Sequence, residues 1–342
     1  LSGLVEKIWF DKHPLGWVLS PLLWPLSKLF AHIAAGRRQR FLANSSDVYR
    51  APVPIVVVGN ITVGGNGKTP VVVWLVEQLK AKGLNPGVVS RGYGGKAPQY
   101  PYVLDESSSA KEAGDEPVLI AKRTGVPVSV SPIRSEAIKS LLPLGVDIIV
   151  TDDGLQHYKM DRDIEFAVID GNRRFGNGHA MPMGPLREPR SRLKDVDFVI
   201  CNGGHPEKTE ISMSLVASKA INLLTRQQAH VTELGELVAI AGIGHPERFF
   251  NTLNELGNPA QTAHGFADHK SFEMSELASL TNDNQQLIMT EKDAVKCQSY
   301  VKDNQIGNWW YVPVDAHLPN VAAETIINKI MKVKETYGSS TA

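Results

Sequence analysis

The run Gly64-Gly65-Asn66-Gly67-Lys68-Thr69 has the residue types and spacing to hold the phosphates of a nucleotide. Backbone N–H groups of such a glycine-rich loop point inward at β- and γ-phosphate oxygens, helped by the positive end of the helix that follows. Lys68 would reach the same oxygens, and the Thr69 hydroxyl would meet Mg²⁺. The full pattern G-x-x-x-x-G-K-[ST] asks for glycine at position 62, where this chain has Thr62. Gly59 and the Gly64-Gly65 pair are expected to supply the missing flexibility. A Gly-Lys-Thr run by itself is also what an ordinary glycine turn looks like. An apolar run at 55–58 before it and a helical pattern at 69–82 after it turn the reading toward nucleotide binding. Asp152-Asp153 closes a second apolar run, 147–150, and matches the acidic half of such a site, where a carboxylate faces the threonine and Mg²⁺ needs oxygen ligands. The plainer reading has one aspartate capping a helix near Leu155. One role is expected for each aspartate.

Phosphoryl transfer is mostly positioning and charge neutralisation, so it also needs cations for the phosphates and a group to orient the acceptor. Short polar stretches could supply them: Ser90-Arg91-Gly92-Tyr93, Gly114-Asp115-Glu116-Pro117, Ser131-Pro132-Ile133-Arg134, Gly184-Pro185-Leu186-Arg187-Glu188 and Ala267-Asp268-His269. Each has a bland explanation when taken singly. The second could be only a helix start, Asp268-His269 a surface turn, and Arg187 with Glu188 a solvated ion pair.

Something must hold these groups together. Short apolar runs at 55–58, 86–90, 127–130, 147–150, 165–169 and 198–201 read as buried strands, with helical patterns at 69–82, 116–123 and 135–142 between them. That alternation predicts an α/β fold, a doubly wound and mainly parallel sheet of P-loop NTPase type. After a blurred stretch a second set begins, with strands at 237–241, 286–289 and 309–314 and a helix at 246–256. The expected organisation is a helical arm over 1–50, a P-loop domain over 51–211, a linker over 212–232 and a smaller α/β domain over 233–342.

Composition sets outer limits. The 36 basic side chains balance the 36 acidic ones, which speaks against nucleic acid as a partner. Cys201 and Cys297 have no metal-type spacing and read as two buried thiols in a reducing compartment. The segment 14–27 carries no charge but is shorter than the roughly 20 residues of a spanning helix. Pro21 and Pro25 are expected to break it, and the order of charges does not suit a signal peptide. Trp17, Leu22, Leu23, Trp24, Leu26, Leu29 and Phe30, followed by Arg37, Arg38 and Arg40, suit an interfacial membrane anchor. An arm packed on its own domain is the alternative.

The run 58–70 (VGNITVGGNGKTP) resembles the P-loop of the tetraacyldisaccharide 4'-kinase family, the lipid A 4'-kinases of Gram-negative bacteria. So do VSRGYGG at 89–95, GDEP at 114–117, TDDGLQH at 151–157, GPLRE at 184–188, ADH at 267–269 and TEKDAVK at 290–296, in order and spacing over nearly the whole chain. The departure at position 62 is the family's own form. The stretch 178–183 (GHAMPM) differs from the more usual Leu-Leu-Pro-Ala, which touches loop packing more than chemistry. The resemblance implies transfer of the ATP γ-phosphate to the 4'-hydroxyl of a tetraacylated disaccharide 1-phosphate on the cytosolic face of the inner membrane, by a peripheral protein with no obligate protein partner. It implies that Lys68 and Thr69 serve ATP and Mg²⁺, with Asp152, Asp153 and Glu188 in the metal environment. Asp115 would be the base, assisted by His269, and Tyr93, Arg134, Gln156 and Arg187 would handle substrate. Two other classes fit parts of the pattern: a P-loop ATPase or GTPase acting as a switch or maturation factor, and a non-catalytic lipid-binding module. Against the first, the nearest thing to a guanine-reading N-K-x-D element is Thr290-Glu291-Lys292-Asp293, with the wrong spacing. If Asp115 and His269 act as a unit, the double alanine variant is expected to lose little more kcat than the worse single variant. Multiplicative losses in steady-state assays would count against the pair.

Overall fold

The structure, a computed structural model, describes residues 2–11, 13–43, 47–268, 272–282 and 284–339. The chain opens with α1 (Ser2–Phe10) and a long α2 (Leu15–Ala43). Pro21 and Pro25 lie inside α2 and do not end it, contrary to the expectation from sequence. Proline at 21 removes the N–H that would bond the Trp17 carbonyl, and the Ser20 hydroxyl donates to that oxygen instead, at 2.8 Å. The 29 residues are, by length and composition, long and apolar enough to cross a membrane, and among them only Ser27 is buried. The arm is nonetheless tied to the body. Trp9 Nε1 donates to the Pro182 carbonyl at 3.1 Å, Ser27 Oγ to the Ala180 carbonyl at 2.6 Å, and Arg38 pairs with Asp195 at 2.9 Å. Two of these three ties fall on the stretch 178–183.

Next come β1 (Ile55–Gly59), α3 (Lys68–Ala81), β2 (Pro86–Ser90), β3 (Tyr102–Val103), α4 (Ala110–Ala113), α5 (Asp115–Thr124), β4 (Val128–Val130), α6 (Arg134–Leu141), β5 (Ile148–Asp152), β6 (Ile164–Asp170), β7 (Phe198–Asn202) and β8 (Ile211–Ala217). Every residue of β1, β2, β5 and β6 is buried, as continuous apolar runs between two helical layers must be. β9 (Ala220–Asn222) and β10 (Gln228–Ala229) follow. A second sheet is then completed by β11 (Glu236–Ala241), α7 (Pro246–Glu255), β12 (Thr262–Gly265), α8 (Met274–Ala278), β13 (Gln285–Thr290), α9 (Glu291–Asp303) and β14 (Trp309–Val312). The chain ends in β15 (Val314–His317) and α10 (Asn320–Ser339).

The first sheet has nine strands in the order β15-β8-β7-β6-β1-β5-β2-β4-β3, and the second has six in the order β10-β9-β14-β13-β11-β12. In the large sheet the pairs from β8 through β4 are parallel, and only the edge strands β3 and β15 run antiparallel. Helix α3 lays Val71, Val72, Leu75, Val76 and Leu79 on one face, and α6 covers the other with Ala137, Ile138 and Leu141.

The expected linker over 212–232 holds β9, β10 and nearly all of β8, which adds to the large sheet through Ile200↔Ile211. Nor does the chain finish in the second set: β15 pairs with β8, and α10 buries Ile326, Ile327 and Ile330 against the first core. Short strands such as VDAH declare no partner locally, because edge pairing is settled by what lies alongside in space.

At the centre of the large sheet Phe166 is fully buried and stacks on Phe198 with ring centroids 5.0 Å apart. Phe166→Ala is expected to cost about 3–5 kcal/mol, read from the midpoint shift in urea unfolding at unchanged slope.

Candidate active site

The order of the large sheet reverses direction at β1, which has β5 and β2 on one side and β6 and β7 on the other. Ligands of open α/β sheets bind beyond the strand ends at such a point. Here that end carries residues 60–67. Gly67 caps α3 with φ +89°, a backbone conformation that L side chains rarely adopt, and an added Cβ would stand 2.5 Å from Asn202 Nδ2. Gly59, expected to lend flexibility, is instead required by packing, since a Cβ there would meet Leu155 atoms at 2.7–3.0 Å. Thr62 earns its place by bonding. Its Oγ1 accepts from Asn66 Nδ2 at 2.8 Å, and the chain beside it pairs with the 184–188 stretch. Val63 N donates to the Pro185 carbonyl, and Arg187 N to the Ile61 carbonyl, both at 2.8 Å. A loop braced by neighbouring backbone does not need the first consensus glycine.

Register sets Val58 opposite Asp152, so the acidic pair stands beside the loop. Neither aspartate caps a helix, because residues 153–159 form turns before β6. The two behave very differently. Asp153, at φ +51°, is held by Arg187 Nη1 at 3.0 and 2.9 Å and by Lys68 Nζ at 3.8 Å. Burial pushes its carboxyl up, but Lys68 and Arg187 outweigh that and keep it well below the usual range. Asp152 is 1% exposed, and neither of its oxygens has a hydrogen-bond partner among the described residues. Burial, and then the nearby Glu116 charge, push its carboxyl up to about 7. Glu188 is already occupied. It accepts from Gln156 Nε2 at 2.6 Å and from Tyr158 Oη at 2.5 Å, with Arg192 Nε at 3.4 Å. Among the described residues no three His, Cys, Asp or Glu side chains converge as a metal cage, so the expected set of Asp152, Asp153 and Glu188 does not assemble as one.

One cleft of about 1520 Å³ gathers these groups. It is lined by Gly64 to Thr69, Tyr93, Arg134, Asp152, Asp153, Gln156, Arg187 and Glu188 from the large sheet's side, and by Gly244, His245, Asp268 and Lys292 from the other. Gly244 and Gly65 approach closely enough that a Cβ on Gly244 would stand 2.9 Å from Gly65 N. Arg134 is buried and donates to the carbonyls of Ser131 and Asp152 at 3.0 and 3.3 Å. Burial lowers its guanidinium to about 10, offset in part by Asp152 and Asp153, so it is charged at neutral pH. Tyr93 is 64% exposed at the cleft. His157, not singled out from sequence, is lowered to about 4 by burial and Arg134 and faces the cleft as neutral imidazole.

Asp115 begins α5 and is buried, with Lys296 Nζ at 3.6 Å and Lys292 Nζ at 4.0 Å from its Oδ2. Both lysines come from α9, on the second sheet. His269 lies outside the described residues; its neighbour Asp268 sits 3.0 Å from Lys292 Nζ, which places that segment beside α5. Sequence reading quoted Glu116, Lys292 and Lys296 within motifs but gave none of them a role. The available signal was a pair of lysines one helical turn apart within the quoted TEKDAVK run.

A Gly-Lys-Thr loop at the switch point of a parallel sheet, an acidic strand end beside it and a deep cleft to a second sheet define a P-loop phosphotransferase. The Tetraacyldisaccharide-1-P 4'-kinase family model matches residues 19–332. The chain is 60% identical over 339 residues to the tetraacyldisaccharide 4'-kinase of Vibrio campbellii, covering 99% of this chain and all of that one. It is 58% identical over 348 residues to that of Photobacterium profundum, covering both chains fully. Among solved structures, LpxK from Aquifex aeolicus, crystallised with ATP, superposes with a TM-score of 0.74 at 24% identity, over 94% of this chain and 99% of that one. The chain therefore belongs to the tetraacyldisaccharide-1-P 4'-kinase family, with that family's mixed α/β architecture. It is an ATP-dependent kinase that transfers phosphate to tetraacyldisaccharide 1-phosphate, which sets aside the switch and the lipid-binding module.

A buried carboxylate without donors opposes folding whenever it is charged. Asp152 titrates higher in the folded chain than unfolded, so its contribution falls as pH rises from about 4 to about 7 and is flat above. Asp152→Asn is accordingly expected to raise Tm in EDTA, by at least ~2 °C more at pH 8 than at pH 5. Thermal unfolding at the two pH values checks this, and an equal shift at both would refute it.

Proposed function

We propose that residues 62–69 hold ATP and present its γ-phosphate to the 4'-hydroxyl of the acylated disaccharide, with groups from both sheets serving the transfer. The observation that carries this reading is the continuity of the cleft, which runs from Lys68 and Thr69 to Val5, Trp9, Phe30 and Ile33 on the arm. A cavity with a phosphate end and an apolar end suits an acceptor that has a charged sugar and hydrocarbon chains.

In this reading Lys68 and the loop amides take the β- and γ-phosphates, and Asp153 holds Lys68 and Arg187 toward them. Thr69 and Asp152 would hold Mg²⁺. Two buried carboxylate oxygens without donors fit a hard cation, and Mg²⁺ needs only one or two carboxylates beside phosphate and water. When bound, the ion supplies charge neutralisation at the phosphate oxygens. Glu188 acts through its neighbours by orienting Gln156 and Tyr158. Asp115 accepts the proton of the sugar hydroxyl, and His269 shares that proton. Tyr93, Arg134, Gln156 and Arg187 bind sugar and phosphate oxygens of the acceptor.

The arm reads as an interfacial anchor on the cytosolic face of the inner membrane, by which the protein reaches its glycolipid. Trp17 is 80% exposed and Leu22 67%, with Trp24 and Leu29 also exposed and Arg37, Arg38 and Arg40 following. Its ties to the body at both Ser27 and Arg38 favour a helix lying along the protein over one projecting from it.

The test is transfer from γ-labelled ATP to detergent-dispersed tetraacyldisaccharide 1-phosphate, wild type beside Asp115→Ala. Mg²⁺-dependent labelling at the 4' position, falling at least ~100-fold in the variant, is expected. Equal labelling would remove Asp115 from the base role. Hydrolysis of ATP without labelled lipid would overturn the proposed acceptor.

A further inference from the structure

Lys292 occupies the first turn of α9, where the helix macrodipole disfavours a cation and where its neighbours Glu291 and Asp293 are the expected acids. Its side chain is only 15% exposed. Burying an ammonium group costs several kcal/mol unless it is well paired. Nothing in local helix physics asks for lysine here, so the reason lies in what it meets.

It meets carboxylates from two separate parts of the molecule. Its Nζ lies 3.0 Å from Glu116 Oε1 and 4.0 Å from Asp115 Oδ2, both in the first turn of α5 under the large sheet. It also lies 3.0 Å from Asp268 Oδ1, in the segment after β12 of the second sheet. Burial would lower the ammonium's pKa, but Glu116, Asp115 and Asp268 together raise it, so it stays charged throughout the working pH range. Lys296, one turn further on, is placed differently. It is shared between Asp115 at 3.6 Å and its own helix's Asp293 at 3.0 Å. Asp293 in turn accepts from Gly242 N and Thr290 Oγ1 at 2.8 and 2.7 Å. Lys296 is thus anchored within the second sheet's side, whereas Lys292 joins α5 to the segment ending at Asp268.

We propose that Lys292 is a positioning residue for phosphoryl transfer, a cation that holds Asp115 and Glu116 of one lobe in register with the Asp268 segment of the other across the cleft. The proposal rests on the reading above that the acceptor hydroxyl reacts at the Asp115 end of the cleft. Without the ammonium, Asp115 would keep Lys296, but Glu116 and Asp268 would face each other without their shared cation, and the segment ending at Asp268 would lose its tie to α5. Lys292 lines the cleft without belonging to the phosphate loop, so its loss should affect the rate of transfer more than the binding of ATP.

The experiment compares Lys292→Met and Lys292→Arg with wild type and Asp115→Ala, all full-length, in the detergent-dispersed lipid assay, with Tm recorded for each. The expected result is a fall in kcat of at least ~30-fold in Lys292→Met with KM for ATP within about threefold, and recovery to within about fivefold in Lys292→Arg. Glu116→Gln, which leaves every lysine in place, is expected to show a smaller kcat loss with the same unchanged KM. A Lys292→Met enzyme within threefold of wild-type kcat would overturn the proposal. Parallel losses in kcat, KM and Tm that arginine fails to rescue would also overturn it, as the mark of a merely structural ion pair. An Asp115→Ala enzyme with wild-type activity would instead remove the reading on which the proposal stands, whatever Lys292→Met does.

Discussion

Parallel pairing of β1 with β5 sets Val58 opposite Asp152, and from that register the rest of the site follows. Two carboxylates stand beside the glycine-rich loop, Asp152 buried and Asp153 about a third exposed to the cleft. Like charges so close need cations of the right reach, and the chain supplies Lys68 from the start of α3, Arg187 from the strip that braces the loop, and Arg134 from the start of α6. Asp153 takes the share of Lys68 and Arg187, and Asp152 is left with buried oxygens and no donor among the described residues. The folded chain pays for that arrangement in stability. A cation at the proposed Mg²⁺ site would relieve that cost.

A second charge problem lies at the first turn of α5. Asp115, Glu116 and Asp268 meet there, and the balancing cations, Lys292 and Lys296, both belong to α9. The two clusters are built alike: a strand or helix end presents carboxylates, and a neighbouring element supplies ammonium or guanidinium groups. They differ in what the pairing joins. On the phosphate side the partners share one sheet. Around α5 they come from two, so ion pairing there also sets how the sheets face each other. The chain's return through β15 and α10 to the first sheet adds a covalent and packed constraint on the same geometry.

The arm adds an apolar wall to the polar site. Arg173 marks the junction: its guanidinium lies 4.0 Å from the Phe10 ring, pairs with Glu6 at 3.4 Å, and donates to the Gly244 carbonyl at 3.3 Å beside the phosphate loop. Under the proposed function, the acceptor's hydrocarbon chains rest against the arm while its sugar reaches the charged end.

Much of this was legible in the chain itself. The phosphate loop, the acidic strand end and the buried parallel strands are local patterns, set by glycine dihedrals, apolar runs and residues only a few positions apart. The familiar motif order also pointed to the chemistry. Other readings failed for physical reasons. Pro21 and Pro25 looked like breaks, but a serine hydroxyl and the neighbouring turns carry α2 past them. A helix cap was expected from Asp152-Asp153, yet the chain there turns straight toward β6. Lys292 was read only as part of the TEKDAVK run and of a guanine-reading element with the wrong spacing. What the sequence by itself determined were the elements and the chemical groups they carry, because both depend on near neighbours. Only the tertiary structure decided which carboxylate stays unpaired, which lysines face Asp115 and where the last strand pairs, because those depend on burial and on contacts between residues far apart in the chain.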